Sequence, residues 1–174
     1  VDVLPDQNID PVLVEKAITN RTKAIMPVHL TGRMARMDEL EAISTKYNIP
    51  IIEDAAQAIG SKYQNRPAGN WGKVGCFSTH PLKNLNACGD GGFVTTNDED
   101  VATKIRSMRN HGLVDRNTVE HFGYVSRMDN LQASILNYRA EKLSYTIQKR
   151  RQIAEIYFEN LNNLPIELPK ENVH

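Results

Sequence analysis

Cysteine is scarce in this sequence: its 174 residues include only Cys76 and Cys88. Two cysteines cannot build the disulfide framework that holds small secreted domains together. A reducing compartment fits this composition, and we therefore expect a cytoplasmic protein. Cys76 lies in an apolar segment, which is typical of a thiol in the hydrophobic core.

A net charge and a long apolar run are also missing. Lysine plus arginine and aspartate plus glutamate number 21 each, so the formal net charge is zero. A chain without an overall field is not drawn to nucleic acid or to an anionic membrane. No apolar run approaches the roughly 20 residues that a membrane-spanning helix needs. We therefore expect neither nucleic acid nor a membrane among the partners.

Two kinds of cofactor site lack their usual signals. The histidines and cysteines do not have zinc-ligand spacing, so we predict no metal. Residues 89–92 (GDGG) do not make the Gly-x-Gly-x-x-Gly turn of dinucleotide-binding folds. The basic run at residues 149–151 predicts a solvated helix face or a contact with a partner subunit.

Short apolar segments alternate with helical patterns in the first part of the chain, which is typical of parallel strands joined by helices. Asp10 with Pro11 predicts one helix start, Asp38 predicts another, and Asp98 or Asn97 predicts a third. The predicted strands cover residues 23–29, 49–54, 74–78 and 92–96.

The pattern changes after Gly123. Residues 128–161 contain neither glycine nor proline, which predicts one long helix or two abutting helices. Such a segment often leads from one domain to the next, so we predict part of a large domain at residues 1–125 and the start of a second at 126–174. The chain opens in an apolar segment and stops in a polar one, and we expect an internal fragment.

Ligands of an open parallel sheet bind beyond the carboxyl ends of its strands. Asp54 stands at such an end, followed by Ala55, Ala56 and Gln57. Its carboxylate could hold a cationic ring nitrogen, and the alanines would let a flat ring approach the backbone. A helix cap or a strand-end salt bridge is the ordinary alternative. His29 also ends a predicted strand and could line the same pocket.

Residues 78–84 (STHPLKN) follow another predicted strand. A lysine shielded from water there, Lys83, could form a Schiff base with an aldehyde. Ser78 and nearby backbone N–H groups could bind a phosphate. Taken alone, Lys83 is more typical of an exposed surface lysine. Together, however, Lys83 and Asp54 supply the two fixed contacts that a pyridoxal-phosphate site needs.

The same segments resemble the DegT/DnrJ/EryC1/StrS family of pyridoxal-phosphate (PLP)-dependent sugar aminotransferases. The resemblance extends across nearly the whole chain, in family order. The matching segments are residues 18–25 (ITNRTKAI), 27–32 (PVHLTG), 52–60 (IEDAAQAIG), 75–85 (GCFSTHPLKNL), 89–92 (GDGG), 109–112 (RNHG) and 127–133 (RMDNLQA).

This resemblance implies an α/β fold, the PLP-dependent transferase fold type I. Its large domain has a mixed, mostly parallel sheet flanked by helices, and a small C-terminal domain follows. The resemblance also implies that Lys83 binds pyridoxal 5'-phosphate covalently and that Asp54 pairs with its ring nitrogen. Gln57 and Ala56 would lie beside the ring, and Ser78 would touch the phosphate.

The family resemblance further implies a homodimer with active sites at the subunit interface. The expected reaction moves an amino group from glutamate to a nucleotide-linked keto-sugar, for surface polysaccharide or secondary metabolites. One alternative is a sugar dehydratase of the same family, in which histidine replaces the lysine at position 83. Another is a binding or regulatory protein that kept the fold; the presence of Lys83, Asp54, Gln57 and Ser78 argues against it.

One position departs from the family pattern. Family members often carry an asparagine that reaches the partner subunit's cofactor phosphate, and Val125 stands at that place. Ser126, the next residue, is the candidate substitute.

Overall fold

The computed structural model of the protein describes residues 1–169; residues 170–174 of the predicted second domain lie outside them. The helices are α1 (Pro11–Ala17), α2 (Met37–Tyr47), α3 (Glu99–Met108), α4 (Asn130–Glu141) and α5 (Leu143–Leu161). The strands are β1 (Ile52–Asp54), β2 (Lys62–Tyr63), β3 (Arg66–Pro67), β4 (Val74–Ser78) and β5 (Gly92–Thr95). Leu30–Gly32 forms a 3-10 turn.

The main sheet has the strand order β1-β4-β5. β1 and β4 are parallel, with Asp54 opposite Cys76. β4 and β5 are antiparallel, with Phe77 opposite Phe93. Residues 79–91 connect β4 to β5 without a helix, as antiparallel neighbours allow. The residue pattern predicted parallel strands only, so β5 is a correction, whereas the mixed sheet implied by the family resemblance is present.

The predicted strand at residues 23–29 is reduced to two isolated parallel bridges, Ile25 with Ile51 and Val28 with Asp54. Pro27 lies between them, and proline has no N–H to donate to the ladder. The backbone still follows β1, because the N–H of Asp54 donates to the carbonyl of Pro27 and the N–H of His29 donates to that of Asp54. The segment therefore supports β1 without being a regular strand.

The hydrophobic core holds β1 in place. Val14 of α1 and Leu40 and Ile43 of α2 are buried in one cluster with Ile51 and Trp71. Burying an aliphatic side chain of this size contributes about 1.5–3 kcal/mol. Since Ile51 directly precedes β1, the packing of this cluster gives Asp54, at the other end of the strand, a defined position.

α2 begins differently from the prediction. Its N-cap is Arg36, whose side chain makes no capping hydrogen bond, so the prediction that Asp38 caps the helix is wrong. The carboxylate of Asp38 lies in the first turn, where a negative charge complements the helix dipole. It accepts hydrogen bonds from the Tyr63 hydroxyl at 2.8 Å and from the Gln64 amide at 3.1 Å. Asp38 thereby joins α2 to the β2–β3 hairpin.

Residues 128–161 form two abutting helices, one of the two predicted alternatives. The break is at Lys142, which has φ −99° and ψ 1° and lies between α4 and α5. Leu136 of α4 is buried against Leu85 and Ala87 of the loop after β4. Other apolar residues of α4 and α5 are exposed: Leu131, Ile153, Ile156 and Tyr157. None of the helices described within residues 1–169 combines the length and apolar character needed to cross a membrane.

Candidate active site

The predicted site residues Asp54 and Ser78 lie on the same face of the sheet. Asp54 is opposite Cys76, and side chains two residues apart along a strand point to the same side. Ser78 therefore follows Cys76 on this face, at the carboxyl end of β4. Burial raises the pKa of the Cys76 thiol, and the nearby carboxylates of Asp54 and Glu53 raise it further. Asp54 thus acts electrostatically on this face of the sheet.

The turn after β1 places Asp54, Ala56 and Gln57. The Asp54 carboxylate accepts the N–H of Ala56 at 3.1 Å, and the N–H of Ala55 donates to the carbonyl of Cys76 at 2.9 Å. The side-chain oxygen of Gln57 accepts the N–H of Thr31 at 2.8 Å. These bonds hold the turn against β4 and orient the Gln57 amide toward the 3-10 turn.

The loop after β4 carries Lys83. The Ser78 hydroxyl accepts the N–H of His80 at 3.2 Å, and the N–H of Lys83 donates to the carbonyl of His80 at 2.8 Å. The ring of His80 accepts the N–H of Leu82 at 3.2 Å. Because His80 takes part in all three bonds, it fixes the short path from Ser78 to Lys83, whose side chain is half-buried.

A cavity of about 880 Å³ opens where these two loops meet, and Lys83, Ser78 and Gln57 all line it. The structure therefore brings together three of the five predicted site residues. Asp54 and Ala56 are not among the described lining residues. Asp54 lies on the same sheet face as the lining residue Ser78, and Ala56 directly precedes the lining residue Gln57.

The wall of this cavity that α5 forms includes two residues that were not predicted as site residues. Arg150 and Arg151 of α5 line it together with Ile147, and both arginines are exposed, in agreement with the predicted solvated face. α5 passes close to the loop after β1 at Gly60, where a Cβ would lie 2.6 Å from Ile147 Cδ1. Ile147, Arg151 and Ala154 are spaced so that they share one face of α5. This spacing is visible in the sequence and groups these residues on one side of the helix.

His29 does not line the cavity, contrary to expectation. It is fully buried, and its Nε2 lies 3.1 Å from a carboxylate oxygen of Glu53. The Glu53 carboxylate also accepts the N–H groups of Gly69, Trp71 and Gly72 at 2.6–2.8 Å. Glu53 was not predicted to have a structural role, although a carboxylate inside an apolar strand signals a buried polar partner. The pair supports β1 from the face opposite Asp54.

Val125 and Ser126 line a different cavity, of about 1080 Å³, together with Phe93 and Arg109. None of the described residues lines both this cavity and the one that contains Lys83. Ser126 therefore lines a separate cavity from that of Lys83 in its own chain, and its role as a phosphate contact stays a prediction about a partner subunit.

Comparison with known proteins gives relatives along the whole chain. The model of the DegT/DnrJ/EryC1/StrS aminotransferase family matches residues 1–174. The chain is 45% identical over 150 residues to the "Pleiotropic regulatory protein" of Geobacillus stearothermophilus, covering 86% of this chain and 40% of that protein. It is 44% identical over 157 residues to the UDP-N-acetyl-3-dehydro-alpha-D-glucosamine 3-aminotransferase of Acidithiobacillus ferrooxidans, covering 90% and 42%. The chain thus spans less than half the length of these two relatives.

Solved structures agree with the fold. S. venezuelae DesV, determined in complex with a ketimine intermediate, superposes with a TM-score of 0.91 at 42% identity, covering 95% of this chain and 45% of that one. NtdA of Bacillus subtilis, with bound cofactor PMP, superposes with a TM-score of 0.89 at 38% identity, covering 98% and 40%. The predicted α/β fold class is therefore confirmed, and the chain belongs to the DegT/DnrJ/EryC1/StrS aminotransferase family.

Proposed function

We propose that the whole protein is a PLP-dependent aminotransferase that moves an amino group from glutamate to the keto group of a nucleotide-linked sugar. One observation carries this proposal: Lys83, Ser78 and Gln57 line a single cavity, and Asp54 shares its sheet face with Ser78. The aminotransferase from Acidithiobacillus ferrooxidans supports the substrate class. The product would serve surface polysaccharide or secondary-metabolite synthesis.

The donor groups at this site fit pyridoxal 5'-phosphate. An amine is needed for the aldehyde, a hydroxyl and N–H groups for the phosphate, and a carboxylate for the ring nitrogen. Lys83, Ser78 and Asp54 provide the amine, the hydroxyl and the carboxylate, and Ala55 and Ala56 leave room for a flat ring beside Asp54. Gln57 adds an amide at the edge of the same cavity.

When bound, the cofactor supplies an electron sink for the carbon that carries the amino group. The Nζ atom of Lys83 would hold the cofactor through its aldehyde and, once freed by the amino donor, would move a proton at that carbon. The Asp54 carboxylate would accept a hydrogen bond from the ring nitrogen and keep that nitrogen protonated. The Ser78 hydroxyl would donate a hydrogen bond to the phosphate.

The proposal extends to the assembly. We infer a cytoplasmic homodimer, with Ser126 of one subunit serving the site of the other. We also infer that the large domain ends near residue 125 and that α4 and α5 lead into the smaller one.

The test uses the whole protein purified with PLP. We expect an absorbance band from the covalently held cofactor, fixation of the cofactor by borohydride, and glutamate-dependent amination of keto-sugar nucleotides detected by mass spectrometry. Lys83→Arg should lose the covalent link and about 10²–10⁴-fold in turnover, whereas Lys104→Arg, at an exposed position of α3, should behave as wild type.

The same experiment separates the alternatives. A dehydratase would give a product without a new amino group. A colourless protein after dialysis against PLP would reject the proposed aminotransferase activity and favour a binding or regulatory protein. The name of the Geobacillus relative suggests a regulatory role.

A further inference from the structure

The cavity that contains Lys83 is positively charged. Lys83 lies on the wall formed by the loop after β4, and Arg150 and Arg151 lie on the wall formed by α5. Within the described part of the chain, none of the lining residues is an aspartate or a glutamate. A concave site with cations on two walls and no carboxylate attracts an anionic ligand.

The two arginines have no partners within residues 1–169. Other arginines there form ion pairs, such as Arg66 with Glu41 and Arg106 with Glu99. Neither Arg150 nor Arg151 has an ion pair or a hydrogen bond to a described residue, and Glu155, one turn further along α5, is not paired with Arg151. Their charge is therefore available to a ligand in the cavity.

Resting on the proposed function, we propose that Arg150 and Arg151 bind the diphosphate of the nucleotide-linked sugar. A guanidinium presents a planar fork of N–H donors that matches a phosphate with two parallel hydrogen bonds. Consecutive residues of a helix point about 100° apart, so the two forks reach the cavity along different directions and suit two phosphoryl groups. A single carboxylate needs only one fork.

The position of the arginines gives them a role in specificity. They line the cavity from α5, whereas Lys83 lines it from the loop after β4, so a diphosphate held at α5 places the sugar ring within the cavity that contains the Lys83 amine. The arginines are positioning residues: they act on the part of the substrate that does not react.

The test measures the binding of inorganic pyrophosphate to the whole, PLP-loaded protein by isothermal titration calorimetry. Charge-assisted hydrogen bonds are worth about 1.5–3 kcal/mol, so Arg150→Gln and Arg151→Gln should each weaken binding about 10-fold to 100-fold. Lys149→Gln is the matched control, because Lys149 is on the same helical turn, contacts Gln152 and does not line the cavity. It should change the affinity by less than about twofold.

Steady-state kinetics distinguishes the diphosphate from the carboxylates of the amino donor. The arginine variants should raise KM for the keto-sugar nucleotide and leave kcat and KM for glutamate nearly unchanged. The proposal is overturned if wild type does not bind pyrophosphate, if both glutamine variants bind it normally, or if KM for glutamate rises instead. Pyrophosphate binding needs no turnover, so it can be measured even in a protein without amination activity. If such a protein bound pyrophosphate through Arg150 and Arg151, the proposed function would be rejected and the anion site would remain supported.

Discussion

The Nε2 atom of His29 lies 3.1 Å from Oε2 of Glu53, and both side chains are completely buried. The Nδ1 atom of the same ring accepts the N–H of Ala35 at 3.3 Å. An acceptor nitrogen carries no proton, so the ring is neutral and donates its Nε2 proton to the carboxylate. Together with three backbone N–H groups of residues 69–72, this bond joins β1 to two loops, one residue before Asp54.

Glu53→Gln should destabilise the protein strongly. Each oxygen of the Glu53 carboxylate accepts two hydrogen bonds: one oxygen from Trp71 and Gly72, the other from His29 and Gly69. A glutamine would place an NH₂ group against one of these donor pairs, whichever way it turned. We expect a loss of at least about 1–3 kcal/mol in the free energy of unfolding, because a buried donor left without its acceptor costs this much and the loss of a charged acceptor costs more. Urea denaturation of the whole protein measures this loss.

Glu99→Gln is the control for this substitution. Glu99 is in the first turn of α3, and its ion pair with Arg106 is exposed, so the change should stay within about 0.5 kcal/mol. Similar denaturation midpoints for Glu53→Gln and Glu99→Gln would show that the buried pair does not support β1.

The same pair predicts a pH dependence of stability. Burial alone would raise the pKa of the Glu53 carboxyl, but hydrogen bonds from His29 and from three backbone N–H groups outweigh it and hold the pKa below its usual value. A carboxyl with a lowered folded-state pKa adds stability above its unfolded-state pKa of about 4.3 and loses it as the pH falls through the folded-state value.

The stability difference between wild type and Glu53→Gln should therefore be largest near neutral pH and shrink below about pH 4.3. Urea denaturation of both proteins between pH 3 and 7 measures this difference, and the titration of the other carboxylates cancels in the comparison. A difference that stays constant across this range would mean that the Glu53 charge makes no contribution.

Local features of the fold were predictable from the sequence because their signals lie within a few residues. Asp10 and Asp98 cap α1 and α3 by accepting the N–H groups of Val12 and Val101, and β4 has the predicted bounds. Features that depend on distant segments were not predictable in this way. Pro27 interrupts the strand predicted at residues 23–29, because it lacks the N–H that a regular strand would donate to β1 at this position.

The candidate site shows the same limit. The order of the motifs placed Lys83, Ser78 and Gln57 at neighbouring loops, and all three line one cavity. The arginines of α5 were missed because they approach that cavity from a helix more than 60 positions along the chain from Lys83. Ile153 and Ile156 of α5 are exposed, which the sequence does not reveal, because periodicity identifies an apolar face without identifying what covers it.

Gly75→Ala should destabilise the sheet behind the site. A Cβ at Gly75 would lie 2.3 Å from Cα of Gly69 and 2.7 Å from the Thr95 hydroxyl oxygen. Gly69 donates its N–H to Glu53, so a shift of its backbone would also disturb the buried carboxylate. We expect a loss of at least about 1–3 kcal/mol, the usual cost of overpacking, measured by thermal and urea unfolding of the whole protein.

Gly89→Ala tests whether the loss at Gly75 comes from the close approach of the two backbones. The nearest atom to a Cβ at Gly89 is the amide nitrogen of Gln132, at 3.3 Å, at the end of a flexible side chain. This variant should unfold within about 1 kcal/mol of wild type. Equal stability of the two alanine variants would contradict the packing of β4 against residue 69.

Asp54→Asn should lower turnover while leaving the fold and the covalent link at Lys83 intact. Asparagine has the same shape, and its side-chain oxygen can still accept the N–H of Ala56. It carries no charge, however, so it cannot keep a ring nitrogen protonated, and the loss of such a preorganised charge costs about 10²–10³-fold in kcat. The measurement is kcat for glutamate-dependent amination at saturating PLP, with cofactor content followed by absorbance. Asp100→Asn, at an exposed position of α3, should keep wild-type kcat. Near-normal amination by Asp54→Asn with full cofactor content would remove Asp54 from the proposed mechanism.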